Sequence, residues 1–557
     1  MTFDFVSRRS PVMAHNGMVA SSQPLATQTG VKILMAGGNA ADAAVATAAA
    51  LNVTEPTSTG LGGDMFALFY DAETKGVTAL NGSGRAPAAL TIELIEQQGL
   101  APKIRNQKSE IINPFHAHNI TVPGACAGWC DLIARHGTLP LSKILAPAIE
   151  LAERGFPVAP TTAHFWQRGA ERQLKSALNG HELTIGGRGP RAGEIFRNPG
   201  LAKTMRAIAE SGKDAYYNGA IARAIANAVQ KSGGVMTTDD LAAHTSTWDA
   251  PISTTYRGAR VWECPPNGQG LAALLALNVL EGFDVARAAP LSAARFHLLI
   301  EAMRVAFADT RWYVADPKFS PLPLDALLSK KYATERRALI NTQYATRNTV
   351  HGAPVASSDT VYFCVVDGAG NACSLINSNY MGFGTGIVPE GWGFTLQNRG
   401  NNFSLDPNHP NALAPGKRPY HTIIPGMITR DVVETQNLAS LQHELVAPFG
   451  VMGGFMQPQG HVQVVVGLMD DALDPQAALD RPRFCLSEAS PDSRVEIEAG
   501  VAFETLAQLA ALGHAVTPIT GYARATFGRG QIIVRDPATG VLCGGSDPRA
   551  DGCAIGF

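Results

Sequence analysis

The chain has 557 residues, of which 45% are apolar and 17% charged, a composition typical of a large globular protein and not of a disordered or collagen-like one. Its 45 basic and 47 acidic residues leave a formal charge of −2, so no bulk charge attracts it to nucleic acid or to an anionic membrane. We therefore expect a small-molecule ligand, no nucleic-acid partner and no membrane association.

No stretch reaches the roughly 18 uninterrupted apolar residues of a membrane span, and the N-terminus lacks the apolar run of a secretory signal. We expect a cytoplasmic protein, with a periplasmic location not excluded. The eight cysteines are scattered, with neither a CxxC pair nor the Cys/His spacing of a zinc site. They predict buried thiols and no metal centre.

The first half of the chain is predominantly helical in pattern. After a Gly-Gly-Asn break at 37–39, an alanine-rich stretch ending at 51 predicts a close-packed buried helix. A glycine-rich bend at 57–64 precedes an apolar strand at 65–71. Residues 123–310 are predicted to form an α-rich layer, with amphipathic helices at 145–154, 220–232, 269–280 and 291–311.

The second half changes character after a polar, aperiodic stretch at 340–359, which predicts an exposed linker. A buried strand at 360–367, a Gly-Ala-Gly-Asn turn and a return strand at 372–377 predict a hairpin. Further strands are expected at 391–397, 422–428 and 531–535, and helices at 460–468, 475–479 and 503–512. The alternation of helices and strands favours one layered α/β body.

Common catalytic signatures are absent: His181-Glu182 and His443-Glu444 lack the second histidine of a zinc helix, and neither a phosphate-binding loop nor a GxSxG elbow occurs. What remains is the junction Asp359-Thr360, where the polar linker meets a buried strand. By itself, a threonine that opens a strand indicates no more than good strand propensity.

Several ordered motifs change this interpretation. They are Gly37-Gly-Asn-Ala-Ala-Asp-Ala-Ala-Val45 with Thr59-Gly-Leu-Gly-Gly63, Pro123-Gly-Ala-Cys-Ala-Gly128, Gly137-Thr-Leu-Pro-Leu141, Pro265-Pro-Asn-Gly-Gln-Gly270, Thr360 to Asn371, Phe383-Gly-Thr-Gly386, Lys417-Arg-Pro419, Gly453-Gly454, Pro482-Arg-Phe484 and Ser546-Asp-Pro-Arg549. Through them the chain resembles the γ-glutamyltransferase family of N-terminal nucleophile hydrolases from about Gly17 to Gly552.

The resemblance implies a four-layer αββα sandwich and a proenzyme that cuts itself between Asp359 and Thr360. The products would be a large subunit, 1–359, with an α-rich layer, and a small subunit, 360–557, in one intertwined body. It also implies that Thr360 is the nucleophile, that Gly453 and Gly454 form the oxyanion hole, and that Ser378 hydrogen-bonds the nucleophile. Independently of the family, a freed α-amine with a pKa of about 7.7–8.0 is able to accept the hydroxyl proton of its own residue near neutral pH.

The pocket for the acyl group departs from the family. Asn402 stands where an aspartate usually faces the substrate ammonium, and Arg399 replaces a glutamine or glutamate. Tyr380 falls at a family asparagine, and His421 and Thr422 fall at a serine pair. The usual carboxylate-binding arginine aligns with Ser83, so Arg85, two residues on, or Arg399 is the candidate to bind a distal carboxylate.

A pocket with a cation but without an ammonium partner suits a dicarboxylic monoamide of glutaryl type, as in the cephalosporin acylase branch. We predict an autoprocessed amidohydrolase and acyltransferase that uses water or an amine as acceptor, retains some γ-glutamyl transfer, and needs no metal or organic cofactor. The connection 403–416 is only 14 residues long, which predicts an open site for bulky leaving groups. Alternatives are a true γ-glutamyltransferase acting on glutathione, an amidohydrolase of an oxamate-like amide, and an uncleaved, inactive scaffold.

Overall fold

The computed structural model describes residues 9–101, 113–346, 360–432, 442–487 and 493–557. Asp359 and the last part of the predicted linker lie outside the described residues. The strands, numbered in chain order, are β1 Val12–Ala14, β2 Gly17–Ser21, β3 Asp64–Asp71, β4 Gly76–Gly82, β5 Phe156–Pro157, β6 Ile195–Phe196, β7 Thr247–Asp249, β8 Ile252–Tyr256, β9 Ala259–Glu263, β10 Val361–Asp367, β11 Ala372–Ser378, β12 Gly426–Val432, β13 Gln442–Met452, β14 Phe484–Leu486, β15 Val495–Glu498, β16 Val516–Ile519, β17 Arg529–Arg535, β18 Leu542–Ser546 and β19 Cys553–Gly556.

The α-helices in chain order are α1 Pro24–Met35, α2 Ala40–Thr54, α3 Ile92–Gln97, α4 Ala125–His136, α5 Leu141–Arg154, α6 Pro160–Gly169, α7 Pro199–Ser211, α8 Lys213–Tyr217, α9 Ala220–Lys231, α10 Thr238–Ala242, α11 Gly270–Leu280, α12 Ala293–Tyr313, α13 Leu324–Leu328, α14 Lys330–Arg337, α15 Met456–Met469, α16 Pro475–Asp480 and α17 Phe503–Ala511. Short 3-10 turns lie at Ala117–Asn119, Gly180–Leu183, Val285–Arg287, Arg399–Asn402 and Gly521–Phe527, and a π-helical turn lies at Ala170–Leu174.

Two seven-stranded sheets face each other at the centre. One has the order β1-β18-β17-β13-β12-β9-β8 and the other β19-β2-β10-β11-β3-β4-β7, and all neighbouring strands in both are antiparallel. Strands β10 and β11 pack on β13, while α1 and α2 cover the outer face of the second sheet and α11 and α15 contact the first. The four-layer αββα sandwich expected from the resemblance is therefore confirmed.

Small residues allow the outer helices to approach closely. Helix α2 begins at the cap Asn39, whose side chain accepts hydrogen bonds from Ala41 N and Asp42 N, and every one of its 15 residues is buried. A Cβ placed at Gly30 of α1 would lie 2.3 Å from Thr47 Oγ1 of α2. The predicted alanine-rich buried helix is thus confirmed, and glycine is required where α1 crosses it.

The hairpin β10–β11 is confirmed with its predicted turn. Asp367 Oδ1 accepts hydrogen bonds from Ala369 N and Asn371 N, and Gly370 has a φ of 89°, which favours glycine. The register pairs Val361 with Asn377, so that Thr360 and Ser378 lie opposite each other at the open end of the hairpin.

Other predictions need correction. The strand predicted at 391–397 is wrong: this stretch forms a loop in which Gly391 and Gly393 have φ values of 74° and 68°, and only Leu396 makes an isolated bridge, to Gly62. The segment 123–310 is predominantly helical, as predicted, and it also contributes β7 to the edge of the second sheet and β9 and β8 to the end of the first. Among the cysteines, Cys130, Cys543 and Cys553 are only partly buried, although all eight are free thiols.

Both sheets combine strands from before and from after position 360. In one sheet β10 hydrogen-bonds to β2 on one side and to β11 on the other, and β2 also pairs with β19. A cut before Thr360 would therefore leave two polypeptides that share both sheets. In the described part of the chain, none of the helices combines the length and apolarity required to cross a lipid bilayer.

Candidate active site

Thr360 lies at the start of the central strand β10, and its side chain is fully buried. Its Oγ1 is 3.1 Å from Oγ of Ser378, the last residue of β11. Ser378 Oγ also accepts hydrogen bonds from Tyr380 N at 2.9 Å and from Arg399 Nη2 at 3.2 Å. The register of one hairpin thus links the threonine hydroxyl to a serine and, through it, to a guanidinium.

Arg399 opens the 3-10 turn Arg399–Asn402 and is fully buried. Its Nη1 donates to Thr422 Oγ1 at 2.6 Å, and its guanidinium lies over the Tyr380 ring at 4.4 Å. Burial lowers the pKa of Arg399 to about 10, a shift opposed by the negative charge of Asp64. The side chain therefore remains a cation at neutral pH.

Among the described residues, no carboxylate lies within 4.0 Å of the guanidinium of Arg399, and its Nε has no hydrogen-bond partner. Asn402, at the other end of the turn, also has unsatisfied polar atoms: its side-chain nitrogen and oxygen are both buried without a hydrogen-bond partner in the described residues. Buried polar groups left unsatisfied cost about 1–3 kcal/mol each, so these atoms indicate a place for a polar ligand.

Asp64 and His421 form a second, fully buried pair beneath this cluster. Asp64 Oδ1 accepts hydrogen bonds from Gly84 N, Gly124 N and Gln397 Nε2. Asp64 Oδ2 lies 3.0 Å from His421 Nε2, and Ile423 N donates to His421 Nδ1 at 3.3 Å, which places the ring proton on Nε2.

The charges of this pair follow from its surroundings. Burial, together with the positive charge of Arg399, lowers the pKa of His421 to about 3. Burial by itself would raise the pKa of Asp64, but its hydrogen bonds and the charge of Arg399 outweigh that effect and hold the pKa below its ordinary value. At neutral pH the pair is a carboxylate and a neutral imidazole.

The burial of neutral His421 leads to a testable prediction about how the free energy of unfolding changes at acidic pH. The unfolded chain takes up a proton near pH 6.5, whereas folded His421 resists protonation down to about pH 3, so stability is lost as the pH falls through this interval. In a His421→Gln variant, the decrease in unfolding free energy between pH 7 and pH 5, measured with urea, should be smaller than in the parent by about 2 kcal/mol.

The control is His181→Gln, since His181 is exposed whereas His421 is fully buried. This variant should lose as much stability as the parent between the same two pH values. An unchanged pH dependence in His421→Gln would contradict a neutral buried His421.

Gly453 and Gly454 follow β13 with φ values of 129° and 59°, conformations that disfavour residues with a side chain. Their carbonyl oxygens accept hydrogen bonds from Met456 N and Gln457 N, and Gln269 Nε2 also donates to Gly454 O at 2.8 Å. Neither backbone N–H of this pair has an acceptor within the described ranges. The pair thus offers two fixed donors, as the oxyanion prediction requires.

The structure brings most of the predicted residues together. Direct contacts join Thr360, Ser378, Tyr380, Arg399 and Thr422. His421 directly precedes Thr422 in the chain, and the positive charge of Arg399 contributes to lowering the pKa of His421. Arg85 is not brought into this cluster: it is half-exposed, and its Nη1 donates to Thr245 O at 3.3 Å. Asp359 lies outside the described residues.

Sequence reasoning missed Asp64 as a member of the site. The signal was present, because an acidic residue opens a strand that is otherwise apolar, and a buried carboxylate has to be paired or hydrogen-bonded. What the sequence did not contain was the identity of its partners, which lie 20 to 357 residues away along the chain.

One group of metal-ligand type occurs in the described residues, formed by His297, Glu301 and His514, whose ligand atoms all lie within 4.8 Å of one another. His297 Nδ1 is 2.8 Å from His514 Nε2, and His297 Nε2 is 2.7 Å from Asn341 O. Glu301 accepts a hydrogen bond from Thr346 N and lies 3.4 Å from Arg304. These contacts give the three side chains a structural role in holding residues 341–346 against α12.

Two facing antiparallel sheets between helical layers define the fold of the N-terminal nucleophile hydrolases. The structure of cephalosporin acylase from Bacillus halodurans aligns with a TM-score of 0.89 and 45% identity, covering 100% of this chain and 98% of that one. The glutathione hydrolase-like YwrD proenzyme of Bacillus subtilis (strain 168) is 36% identical over 548 residues, 98% of this chain and 99% of its own length. The oxamate amidohydrolase proenzyme of Klebsiella pneumoniae subsp. pneumoniae is 34% identical over 556 residues, 98% of this chain and 99% of its own.

The family model for gamma-glutamyltranspeptidase matches residues 26–557. The chain belongs to the gamma-glutamyltranspeptidase family, and it is an enzyme of the amidohydrolase and acylase kind found there.

Proposed function

We propose that the protein is an N-terminal threonine hydrolase that hydrolyses monoamides of dicarboxylic acids of glutaryl type and transfers the acyl group to amines as a side reaction. In the precursor, Thr360 Oγ attacks the Asp359 carbonyl, the acyl group moves from nitrogen to oxygen, and water hydrolyses the ester. Processing into a large and a small subunit agrees with the names of the relatives, which are proenzymes.

In the mature enzyme the freed amine of Thr360 takes the proton from its own hydroxyl, and Oγ attacks the amide carbonyl of the substrate. The two amides at Gly453 and Gly454 stabilise the oxyanion. The leaving amine receives the proton, and water then hydrolyses the acyl ester. Loss of one such oxyanion donor typically costs about 2.7–4 kcal/mol of barrier.

The observation that carries the choice of acyl group is the buried guanidinium of Arg399. It lies one serine away from the proposed nucleophile, retains an unused Nε donor, and contacts Thr422, which falls at one position of the family's serine pair. A substrate carboxylate would satisfy that donor and form a charge-assisted hydrogen bond. We therefore assign the distal carboxylate to Arg399, and not to Arg85.

A substrate ammonium finds no comparable partner. Asn402 offers only neutral hydrogen bonds, and both oxygens of Asp64 already accept hydrogen bonds from protein groups. An ammonium close to Arg399 would also be repelled by it. Acyl groups without the α-amine are therefore favoured over γ-glutamyl, in agreement with the likeness to a cephalosporin acylase.

A second candidate acyl group is the shorter oxamate type. Thr360 Oγ1 and Arg399 Nη2 are separated by no more than two successive hydrogen bonds, of 3.1 and 3.2 Å, through Ser378. A carboxylate bound at Arg399 consequently lies near the reacting carbonyl, a geometry that a short chain meets without folding. The likeness to an oxamate amidohydrolase points in the same direction.

The test is a panel of 4-nitroanilides that share one leaving group and differ in the acyl group: oxalyl, succinyl, glutaryl, γ-glutamyl and butyryl. We expect kcat/KM for the best dicarboxylic acyl group to exceed that for γ-glutamyl by about tenfold or more, the equivalent of roughly 1.4 kcal/mol. Butyryl, which lacks the distal carboxylate, should be poor. A preference for γ-glutamyl would refute the proposal and leave a true γ-glutamyltransferase, whereas the position of the optimum separates oxamate from glutaryl substrates.

A further inference from the structure

Three side chains of metal-ligand type face one another in the interior, at a place that the proposed mechanism does not use. His297 and Glu301 lie one helical turn apart on the same face of α12, and His514 approaches them from the end of α17. All three residues are buried, with exposed fractions of 4% or less. Two imidazole nitrogens and a carboxylate oxygen are donors that bind zinc in proteins.

The end of α17 sets the position of His514. Gly513 has a φ of 96°, and the backbone N–H groups of Gly513 and His514 donate to Ala510 O and Leu509 O. This Schellman motif ends the helix and fixes the backbone of His514. The His514 ring then meets α12, where its Nε2 lies 2.8 Å from Nδ1 of His297.

The contacts of His297 hold its ring in the state that a metal ligand needs. Its Nε2 lies 2.7 Å from Asn341 O, a carbonyl oxygen that can only accept, so the neutral ring carries its proton on Nε2. The lone pair of Nδ1 consequently points toward His514. Histidine ligands of metals usually donate their second ring N–H to a carbonyl or carboxylate in this way.

Glu301 supplies a carboxylate oxygen that the protein does not satisfy. Its Oε2 accepts a hydrogen bond from Thr346 N at 2.9 Å, whereas its buried Oε1 accepts none from any described residue. Arg304 Nε lies 3.4 Å from Oε1, an ion pair without a hydrogen bond between the two atoms. Because a buried acceptor without a donor is costly, a cation bound at Oε1 would be stabilising.

We propose that His297, Glu301 and His514 bind one zinc ion through Nδ1, Oε1 and Nε2, respectively. Zinc bound about 2.0–2.1 Å from each atom would set the ligand atoms roughly 3.3 Å apart. The two nitrogens would therefore separate by about 0.5 Å, and the carboxylate would approach them. The ion replaces the hydrogen bond between the two rings, and the proton of His514 moves to its Nδ1.

The inference goes beyond the proposed function, because this ion would stabilise the fold and take no part in turnover. His297 and Glu301 precede position 360 in the chain, and His514 follows it. The ion would thus cross-link the two predicted subunits at a point remote in sequence from the cut.

The test uses the full-length protein without a histidine tag, treated with a chelator and then dialysed. Equilibrium dialysis against Zn²⁺, with elemental analysis, should give one ion per molecule with a Kd of about 1 μM or tighter. Millimolar Mg²⁺ should not compete, because it prefers oxygen ligands. Zn²⁺ at a hundredfold excess over its Kd should raise the Tm by about 2 °C.

Two variants remove single ligands. Glu301→Gln keeps an acceptor for Thr346 N, and His514→Gln keeps a polar side chain. Each should bind Zn²⁺ at least about tenfold more weakly than the parent. His181→Gln, which removes an exposed histidine, is the matched control and should keep the parent Kd.

A parent protein that binds no stoichiometric Zn²⁺, or ligand variants that keep the parent Kd, would overturn the inference. Anomalous scattering at the zinc absorption edge, from crystals of the parent grown with Zn²⁺, decides the question without any variant. A peak between His297 and His514 supports the inference, and peaks only elsewhere would overturn it.

Discussion

Replacing Thr360 by alanine should leave the protein as one polypeptide of 58.7 kDa without amidohydrolase activity. In the proposed mechanism the substitution removes the hydroxyl that attacks both the Asp359 carbonyl and the substrate, so we expect processing and turnover to fail together. A denaturing gel and intact-mass spectrometry of the parent should instead show chains of 359 and 198 residues, the lengths given by a cut before Thr360. Loss of a covalent nucleophile typically lowers kcat by at least about 10⁴-fold.

The control for this prediction is Thr360→Ser, which keeps a hydroxyl and, after a cut, an α-amine on the same residue. It should be processed and retain measurable activity. If the parent were found uncut yet fully active, the mechanism would be wrong, and an uncut parent without activity would favour the scaffold alternative.

Replacing Arg399 by glutamine should lower kcat/KM for dicarboxylic anilides by about 30- to 150-fold, which corresponds to the roughly 2–3 kcal/mol of a charge-assisted hydrogen bond. The rate on the butyryl anilide, which has no distal carboxylate, should change little. The fold should persist because Asp64 keeps four hydrogen bonds that do not involve Arg399.

Arg85→Gln is the matched variant, since Arg85 is the other arginine that the sequence put forward. Its side chain contacts Thr245 O and not the Thr360 cluster, so its kcat/KM on the same substrates should stay near the parent value. Equal losses on dicarboxylic and butyryl anilides in Arg399→Gln would indicate instead that Arg399 positions Ser378 and Thr360 and does not bind the carboxylate.

Local patterns predicted the elements on either side of Thr360. The apolar strand after position 360, the turn around Gly370 and the return strand depend on residues adjacent in sequence, and the structure confirms all three. The strand expected at 391–397 was wrong for a related reason: its apolar residues fill the interior from a loop, and the two glycines with positive φ set the backbone path.

The acyl pocket was predictable only in part. The resemblance to the family predicted a set of substrate-binding candidates: Tyr380, Arg399, Asn402, His421 and Thr422. The contacts among them could not be predicted from the local sequence pattern. Two arginines were candidates in the sequence, and the structure buries Arg399 and leaves Arg85 partly exposed.

The sequence by itself determined most of the helical and strand segments and the hairpin that begins at Thr360, because these depend on residue types and short spacings. The asparagine at position 402, in place of an aspartate, was visible only through the resemblance to the family. Only the tertiary structure decided that Arg399 reaches Ser378 and Thr422 and that Asp64 is held by His421 and Gln397. These contacts join segments 21 to 357 residues apart, and such distances are closed by the packing of two sheets built from both halves of the chain.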